Sequence, residues 1–282
     1  MSRLSARVRA AVHDSSHSAL KAPIRFAHRV VVQAQLAGVT AVDAVRYRRD
    51  AEPEWLADQL TICAKTFLRP ATARRLVTSS RRVFSGRIVI ADDSPDPMSS
   101  PDDHTVIVPL PFNSGVPTGR NAALARVETP YTLVTDDDAV FTKATDLAGV
   151  VGYLDANPDV DAVCARLIEL PRWYAVGSDG ALFAGAVTPL RAAGEVIDGL
   201  RVVLKGPQVY VGRTAALRTV PYDERIRMVE HRDFFSMASG RLVFVEDPGF
   251  VAFHARTPFN RTYTSYRNDV SADLRYVAVK WS

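Results

Sequence analysis

The side chains best equipped for chemistry stand in short acidic strings. Asp136-Asp137-Asp138 follows the apolar run 131–135, Asp92-Asp93 closes the run 88–91, and Glu230 and Asp233 stand three apart in Glu230-His231-Arg232-Asp233-Phe234-Phe235. Adjacent carboxylates repel one another unless cations or hydrogen bonds compensate them. Hard divalent cations take oxygen ligands, and an ion that keeps water or phosphate in its shell needs only one or two protein carboxylates. Asp136 and Asp138 are therefore candidates to hold a metal and a ribose or sugar hydroxyl; the plainer reading is a solvated acidic turn capping the next helix. Asp92 and Asp93 could accept from a nucleobase imide or from ribose hydroxyls, although Asp-Asp-Ser-Pro-Asp-Pro is also good turn chemistry. On a helix, Glu230 and Asp233 share one face, which makes one of them a general-base candidate, or both of them members of a surface charge cluster. Gly119-Arg120-Asn121 at a helix start offers a close backbone approach and a fixed charge for phosphates. His254, between Phe253 and Ala255, reads alone as a satisfied, partly buried histidine, and beside an acidic metal site as a third ligand.

These residues need elements that bring them together. The run 61–67 is a strand candidate, Arg69-Pro70 opens a helix over 71–84 because Pro is favoured at a first helical position, and 87–91 is a second strand. That β-α-β unit predicts parallel strands with a right-handed crossover. A Pro/Ser/Asp loop spans 95–103, followed by a strand at 105–110, a helix at 119–127 and a strand at 131–135. Later strands are predicted near 160–170, 208–211, 241–245 and 250–253, with a helix around 231–238. Open α/β sheets bind ligands outside the C-terminal ends of their strands, so Asp92, Asp93 and the three aspartates at 136–138 are expected to converge.

Ahead of this pattern, Leu4, Val8, Ala11 and Val12, then Ile24, Ala27, Val30 and Val31, recur at helical spacing with arginines between them. They predict short basic amphipathic helices, either packed on the main domain or resting on an anionic membrane surface. The expected division is a basic helical extension over 1–57, an α/β domain over 58–256 and a Tyr- and Arg-rich tail over 257–282 that is mobile or covers a partner.

The 282-residue composition is that of an ordinary globular protein, 47% hydrophobic and 23% charged, which excludes collagen-like and globally disordered chains. Nine Lys/Arg against three Asp/Glu fall in residues 1–50, while the remainder is nearly neutral, so a nucleic-acid-binding face is not expected. No apolar run is long enough to span a membrane and no secretory h-region is present, which points to a cytoplasmic chain with at most peripheral contact at the inner membrane face. Cys63 and Cys164 lie in apolar runs far from any metal-ligand spacing and read as buried free thiols. Neither a P-loop nor a GxGxxG string occurs.

Taken in order, Lys65-Thr66-Phe67-Leu68-Arg69-Pro70, Ile88-Val89-Ile90-Ala91-Asp92-Asp93-Ser94, Gly119-Arg120-Asn121, the string from Tyr131 through Asp136-Asp137-Asp138-Ala139-Val140-Phe141-Thr142, and Glu230-His231-Arg232-Asp233-Phe234-Phe235 resemble the GT-A glycosyltransferases of the family-2 type. Within them the chain most resembles the β-1,4-N-acetylgalactosaminyltransferase branch, over about residues 60–256. The resemblance implies a Rossmann-like, mostly parallel sheet flanked by helices. It implies an inverting transferase that uses a UDP-sugar, N-acetylhexosamine being favoured, with Mn²⁺ or Mg²⁺, on a glycan, glycolipid or lipid-linked acceptor. By position, Thr66, Phe67, Asp92 and Asp93 would border the uridine, with Arg69 in the same nucleotide-binding set. Arg120 would lie near the diphosphate, and Asp136, Asp137 and Asp138 would form the DxD-type motif. Asp138, with Asp136 and His254, would hold the metal, and Asp233 rather than Glu230 would be the base. Residues 173–205 have no counterpart. Two other readings compete. Asp136-Asp137-Asp138-Ala139-Val140 also fits the opening motif of haloacid-dehalogenase-like phosphatases, and a nucleotide-sugar fold can serve as a non-catalytic scaffold.

Overall fold

Strands buried along nearly their whole length need cover on both faces, and β1 (Leu60–Thr66), β2 (Ile88–Asp92), β4 (Tyr131–Asp136) and β6 (Ala162–Glu169) are of that kind. The computed structural model describes residues 18–46, 52–178, 180–256, 260–267 and 269–282. Helices α1 (Ser18–Arg46) and α2 (Glu54–Gln59) precede β1; α3 (Pro70–Ser80) links β1 to β2, and β3 (Thr105–Pro109) and α4 (Val116–Ala125) lead into β4. Then come β5 (Ala139–Val140), α5 (Leu147–Ala156), β6, the short strands β7 (Tyr174–Ala175), β8 (Val196–Ile197) and β9 (Leu200–Val202), and β10 (Tyr210–Arg213). Helices α6 (Thr214–Arg218) and α7 (Glu230–Ala238), strand β11 (Phe244–His254), and helices α8 (Arg261–Arg267) and α9 (Ser271–Lys280) complete the order.

The sheet runs β3-β2-β1-β4-β10-β6-β11-β9-β8. β1 pairs in parallel with β2 and β4, and β2 with β3; β10 is inserted antiparallel between β4 and β6, and β6 pairs in parallel with β11. One face packs Leu56, Leu76, Phe84, Phe141 and Leu154 against the strands; the other packs Leu124, Tyr210, Phe234, Phe235 and Phe244. The mostly parallel α/β architecture is the one expected. Cys63 and Cys164 are buried and free, and burial pushes both thiols well above their ordinary pKa.

Several boundaries differ from the sequence pattern. Helix α3 stops at Ser80, and α4 begins at Val116, with Pro in its first turn. The two late strands are one, β11, whose register with β6 slips between Asp247 and Val251. Residues 18–46 form a single helix that contains Pro23, whereas Leu4, Val8, Ala11 and Val12 lie outside the described residues. The segment read as a tail folds back as α8 and α9. Its Asp273 carboxylate accepts from the backbone N–H groups of Arg227 and Met228, and Tyr263 and Val277 are buried against the domain. Among the described residues no helix is long and apolar enough to cross a membrane.

Helix α4 lies so close to β1 that a Cβ at Gly119 would stand 2.2 Å from Lys65 Cγ. Gly119→Ala should therefore lower stability by about 1–3 kcal/mol, the usual cost of overpacking, measured by urea unfolding against the wild-type chain.

Candidate active site

The polar residues of interest gather at one end of the sheet because parallel strands end together. Thr66, Asp92, Asp136, Glu169 and His254 are the last residues of β1, β2, β4, β6 and β11. Asp93 follows β2 directly, and Asp137 and Asp138 form the turn into β5, which pairs with the end of β11 through His254 and Ala139. That pairing carries the histidine back to the aspartates across more than a hundred residues of chain.

Asp136, Asp138 and His254 can each direct one ligand atom to a common point, all within 4.8 Å of one another. His254 Nε2 lies 3.0 Å from Asp138 Oδ1, while its Nδ1 is 2.8 Å from Glu169 Oε2. A carboxylate behind a histidine fixes the ring and raises the basicity of the far nitrogen, the usual second layer of a metal site. Burial works against a charge on His254, but Asp138 and Glu169 outweigh it and lift its pKa to about 10. Two carboxylates and an imidazole suit Mn²⁺ in particular, and Mg²⁺ through the oxygens. The donor set therefore fits a divalent cation.

Two arginines answer the rest of the negative charge. Arg69 donates to Asp138 Oδ2 at 3.0 Å and pairs with Asp137, whose other oxygen accepts from Thr66 Oγ at 2.7 Å. Burial raises the Asp137 pKa to about 6, against the pull of Arg69. Burial also opposes ionisation of Asp138, yet His254 and Arg69 prevail and hold its pKa far below the carboxylate range. Arg120 joins two elements, donating to Asp136 at 2.6 Å and to Glu230 of α7 at 2.7 Å. Glu230 is buried, and that burial raises its pKa despite the Arg120 contact.

The remaining predicted residues fall into separate surroundings. Both Asp92 oxygens accept backbone N–H groups, from Ser94 and Met98, so this side chain closes a turn. Asp93 pairs with Lys65 at 2.7 Å and accepts from Gly115 N, tying β2 to the start of α4. Phe67 is buried in a cluster with Phe112 and Tyr266, ring centroids 5.7 and 5.4 Å away. Asp233 lies one helical turn beyond Glu230 and is 1% exposed. Its carboxylate takes Lys280 Nζ at 2.8 Å and the Trp281 indole N–H at 2.7 Å.

Sequence reasoning missed Glu169, Lys65, Lys280 and Trp281 as members of the site. Glu169 had a signal, since it is an acidic residue closing an apolar strand as Asp92 and Asp136 do. Lys280 and Trp281 had none, because only the fold-back of α9 brings them to α7.

Residues 61–174 match glycosyl transferase family 2. With that match, residues 61–174 carry a family-2 glycosyltransferase domain, on a sheet of the GT-A fold. It is 28% identical over 230 residues to beta-1,4 N-acetylgalactosaminyltransferase 2 of Mus musculus, covering 77% of this chain and 45% of that protein. It is 31% identical over 241 residues to beta-1,4 N-acetylgalactosaminyltransferase 1 of Homo sapiens, covering 78% and 45%. The chain thus spans less than half the length of these relatives. Among solved structures, S. aureus TarS 1-349 superposes with a TM-score of 0.51 at 18% identity, covering 69% of this chain and 60% of that one. TarS 1-349 in complex with UDP-GlcNAc gives the same TM-score at 17% identity, over 69% and 58%. The phosphatase reading of Asp136 through Val140 is set aside on the family match.

Replacing the residue behind the histidine tests the metal arrangement without removing a ligand. Glu169→Gln should weaken Mn²⁺ binding about 10- to 100-fold in a calorimetric titration. Asp138→Ala should abolish measurable binding in the same experiment.

Proposed function

We propose that this chain is a metal-dependent, inverting glycosyltransferase that moves an N-acetylhexosamine from its UDP derivative to a hydroxyl of a glycan or lipid-linked acceptor. The observation that carries the reading is the joining of Asp136, Asp138 and His254 to Glu230 and Asp233 through Arg120 and one turn of α7. The names of the relatives, N-acetylgalactosaminyltransferases, and the UDP-GlcNAc complex of TarS support the donor class.

Asp136, Asp138 and His254 would hold Mn²⁺ or Mg²⁺, which supplies Lewis-acid neutralisation of charge on the departing diphosphate. Arg120, already beside Asp136, adds a fixed positive charge on that side, and Arg69 keeps Asp137 and Asp138 in place. Thr66, Phe67 and Asp93 border the uridine, Phe67 offering an apolar ring and Asp93 an acceptor, while Asp92 holds the turn that carries Asp93. In the transfer itself the acceptor oxygen bonds to the anomeric carbon as the bond from that carbon to the diphosphate oxygen breaks, inverting the configuration. The acceptor proton passes to Asp233. Both acids are engaged, Glu230 by Arg120 and Asp233 by Lys280 and Trp281, and the resemblance of the His231-Arg232-Asp233-Phe234-Phe235 string favours Asp233 as the base.

Lys280 and Trp281 orient that base. Oδ1 meets both Lys280 and Trp281, whereas Oδ2 meets Lys280 alone and keeps a lone pair for the acceptor proton. Asp233 itself is almost fully covered, so an acceptor reaches it where the segment bearing Trp281 yields.

UDP should bind more tightly with Mn²⁺ than without it in calorimetric titrations of the wild-type chain. No UDP binding by the folded protein under either condition would remove the nucleotide-sugar reading. Asp233→Asn should bind UDP as the wild type does while lowering kcat for transfer by about 10²–10⁴-fold. Undiminished transfer by this variant would displace Asp233 as base. Trp281→Phe, which keeps the ring and loses the indole N–H, should lower kcat with little change in UDP affinity.

A further inference from the structure

Helix α1 touches the domain through one narrow side. Val32 and Leu36 pack with Val140, Leu170, Phe253 and Ala255, and Asp43 accepts the backbone N–H of Lys143 at 2.8 Å. Among the described residues nothing packs on the opposite side, which is apolar. Ile24, Phe26, Val30, Val31, Val42 and Val45 are all exposed, Phe26 at 70% and Val45 at 83%. At 3.6 residues per turn these six and the alanines between them fill an arc of roughly 160° in which no side chain is polar, along a helix about 43 Å long. An uncharged surface of that extent marks a place where something binds.

The margins of the arc indicate what binds. On one border stand the exposed Arg29 and, about 16 Å further along the helix, Thr40, which accepts from Arg82 at 2.9 Å. On the other, Gln35 donates to Pro171 O at 3.0 Å, which sets the exposed Arg172, Trp173 and Tyr174 beside the helix. Trp173 is 51% exposed and meets Phe253 edge-on at 5.8 Å. The only acid in α1 is Asp43, which is buried. An apolar helix face bordered by arginines, with Trp and Tyr at its edge, has the composition of a helix lying in the interface of an anionic bilayer. Pairing of two such faces between copies of this chain would bring arginine-lined margins together with no exposed acid on either helix to answer them.

We propose that α1, with the loop of Arg172, Trp173 and Tyr174, is a docking surface for a membrane rich in anionic lipid. The residues it packs on, Val140 and Phe253, stand two positions after Asp138 and one before His254. Docking would therefore hold the carboxylate–histidine end of the sheet beside the lipid headgroups, where a membrane-borne acceptor would be met. The proposal does not depend on the glycosyl-transfer reading.

The test is co-sedimentation of the full 282-residue chain with vesicles of phosphatidylcholine, alone or with about a quarter phosphatidylserine, with light scattering of the free protein. The expected result is partitioning at least about tenfold stronger onto the serine-containing vesicles, weakened by salt. The double variant Phe26→Glu/Val30→Glu should lose that partitioning by at least about tenfold with an unchanged circular dichroism spectrum, since both side chains are exposed. Arg82→Glu/Arg172→Glu should remove the preference for anionic lipid. Absence of binding to anionic vesicles, or equal binding by the Phe26/Val30 variant, would overturn the proposal. So would a stable dimer that this variant converts to monomer without any vesicle binding by the wild type, which would assign the face to a second copy.

Discussion

Asp137, Asp138, Glu169 and Glu230 are among the carboxylates buried at one end of the sheet, with Asp136 beside them, and the cost of burying like charges governs how that end is built. No single cation answers them. Arg69 takes Asp137 and Asp138, His254 lies between Asp138 and Glu169, and Arg120 spans Asp136 and Glu230. Arg69, just after β1, takes two neighbouring acids after β4, while His254 and Arg120 each serve acids on different segments, so the compensation also fastens β1, β4, β6, β11 and α7 to one another. A divalent ion at the Asp136–Asp138–His254 point would join this network rather than be added to it.

The same requirement explains the positions of elements that carry no chemistry. Strand β5 is two residues long, yet its pairing with Phe253 and His254 is what returns the imidazole to Asp138. The tight approach of α4 to β1 at Gly119 places Arg120 within reach of both Asp136 and Glu230. Helices α8 and α9 close the opposite side, where Tyr263 lies 4.0 Å from the Arg69 guanidinium and Lys280 and Trp281 bind Asp233. Helix α1 contributes to none of these contacts and backs the strands that do, and among the described residues its outer face packs on nothing.

Much of this was legible in the residues. The alternation of apolar runs with helical stretches from 61 to 136 predicted parallel strands, and aspartates closing the second and fourth of them predicted convergence at one end. Asp92 is instructive: its turn chemistry and its binding chemistry read alike in the string, and only its bonds to Ser94 and Met98 assign the side chain to the turn. The single helix over 18–46 was harder to see, because Pro23 reads as a break while the Ala- and Val-rich stretch after it sustains the helix.

The sequence by itself determined the strand-end aspartates, the Glu230/Asp233 spacing and the mostly parallel α/β order, because each follows from local periodicity and short-range chemistry. Only the tertiary structure decided which charges face one another. The pairing of His254 with Glu169, of Arg120 with Glu230, and of Lys280 and Trp281 with Asp233 joins residues 47 to 110 positions apart. Nothing in the spacing along a chain encodes such contacts; they arise from the order of strands in the sheet and from the path of the chain back across it.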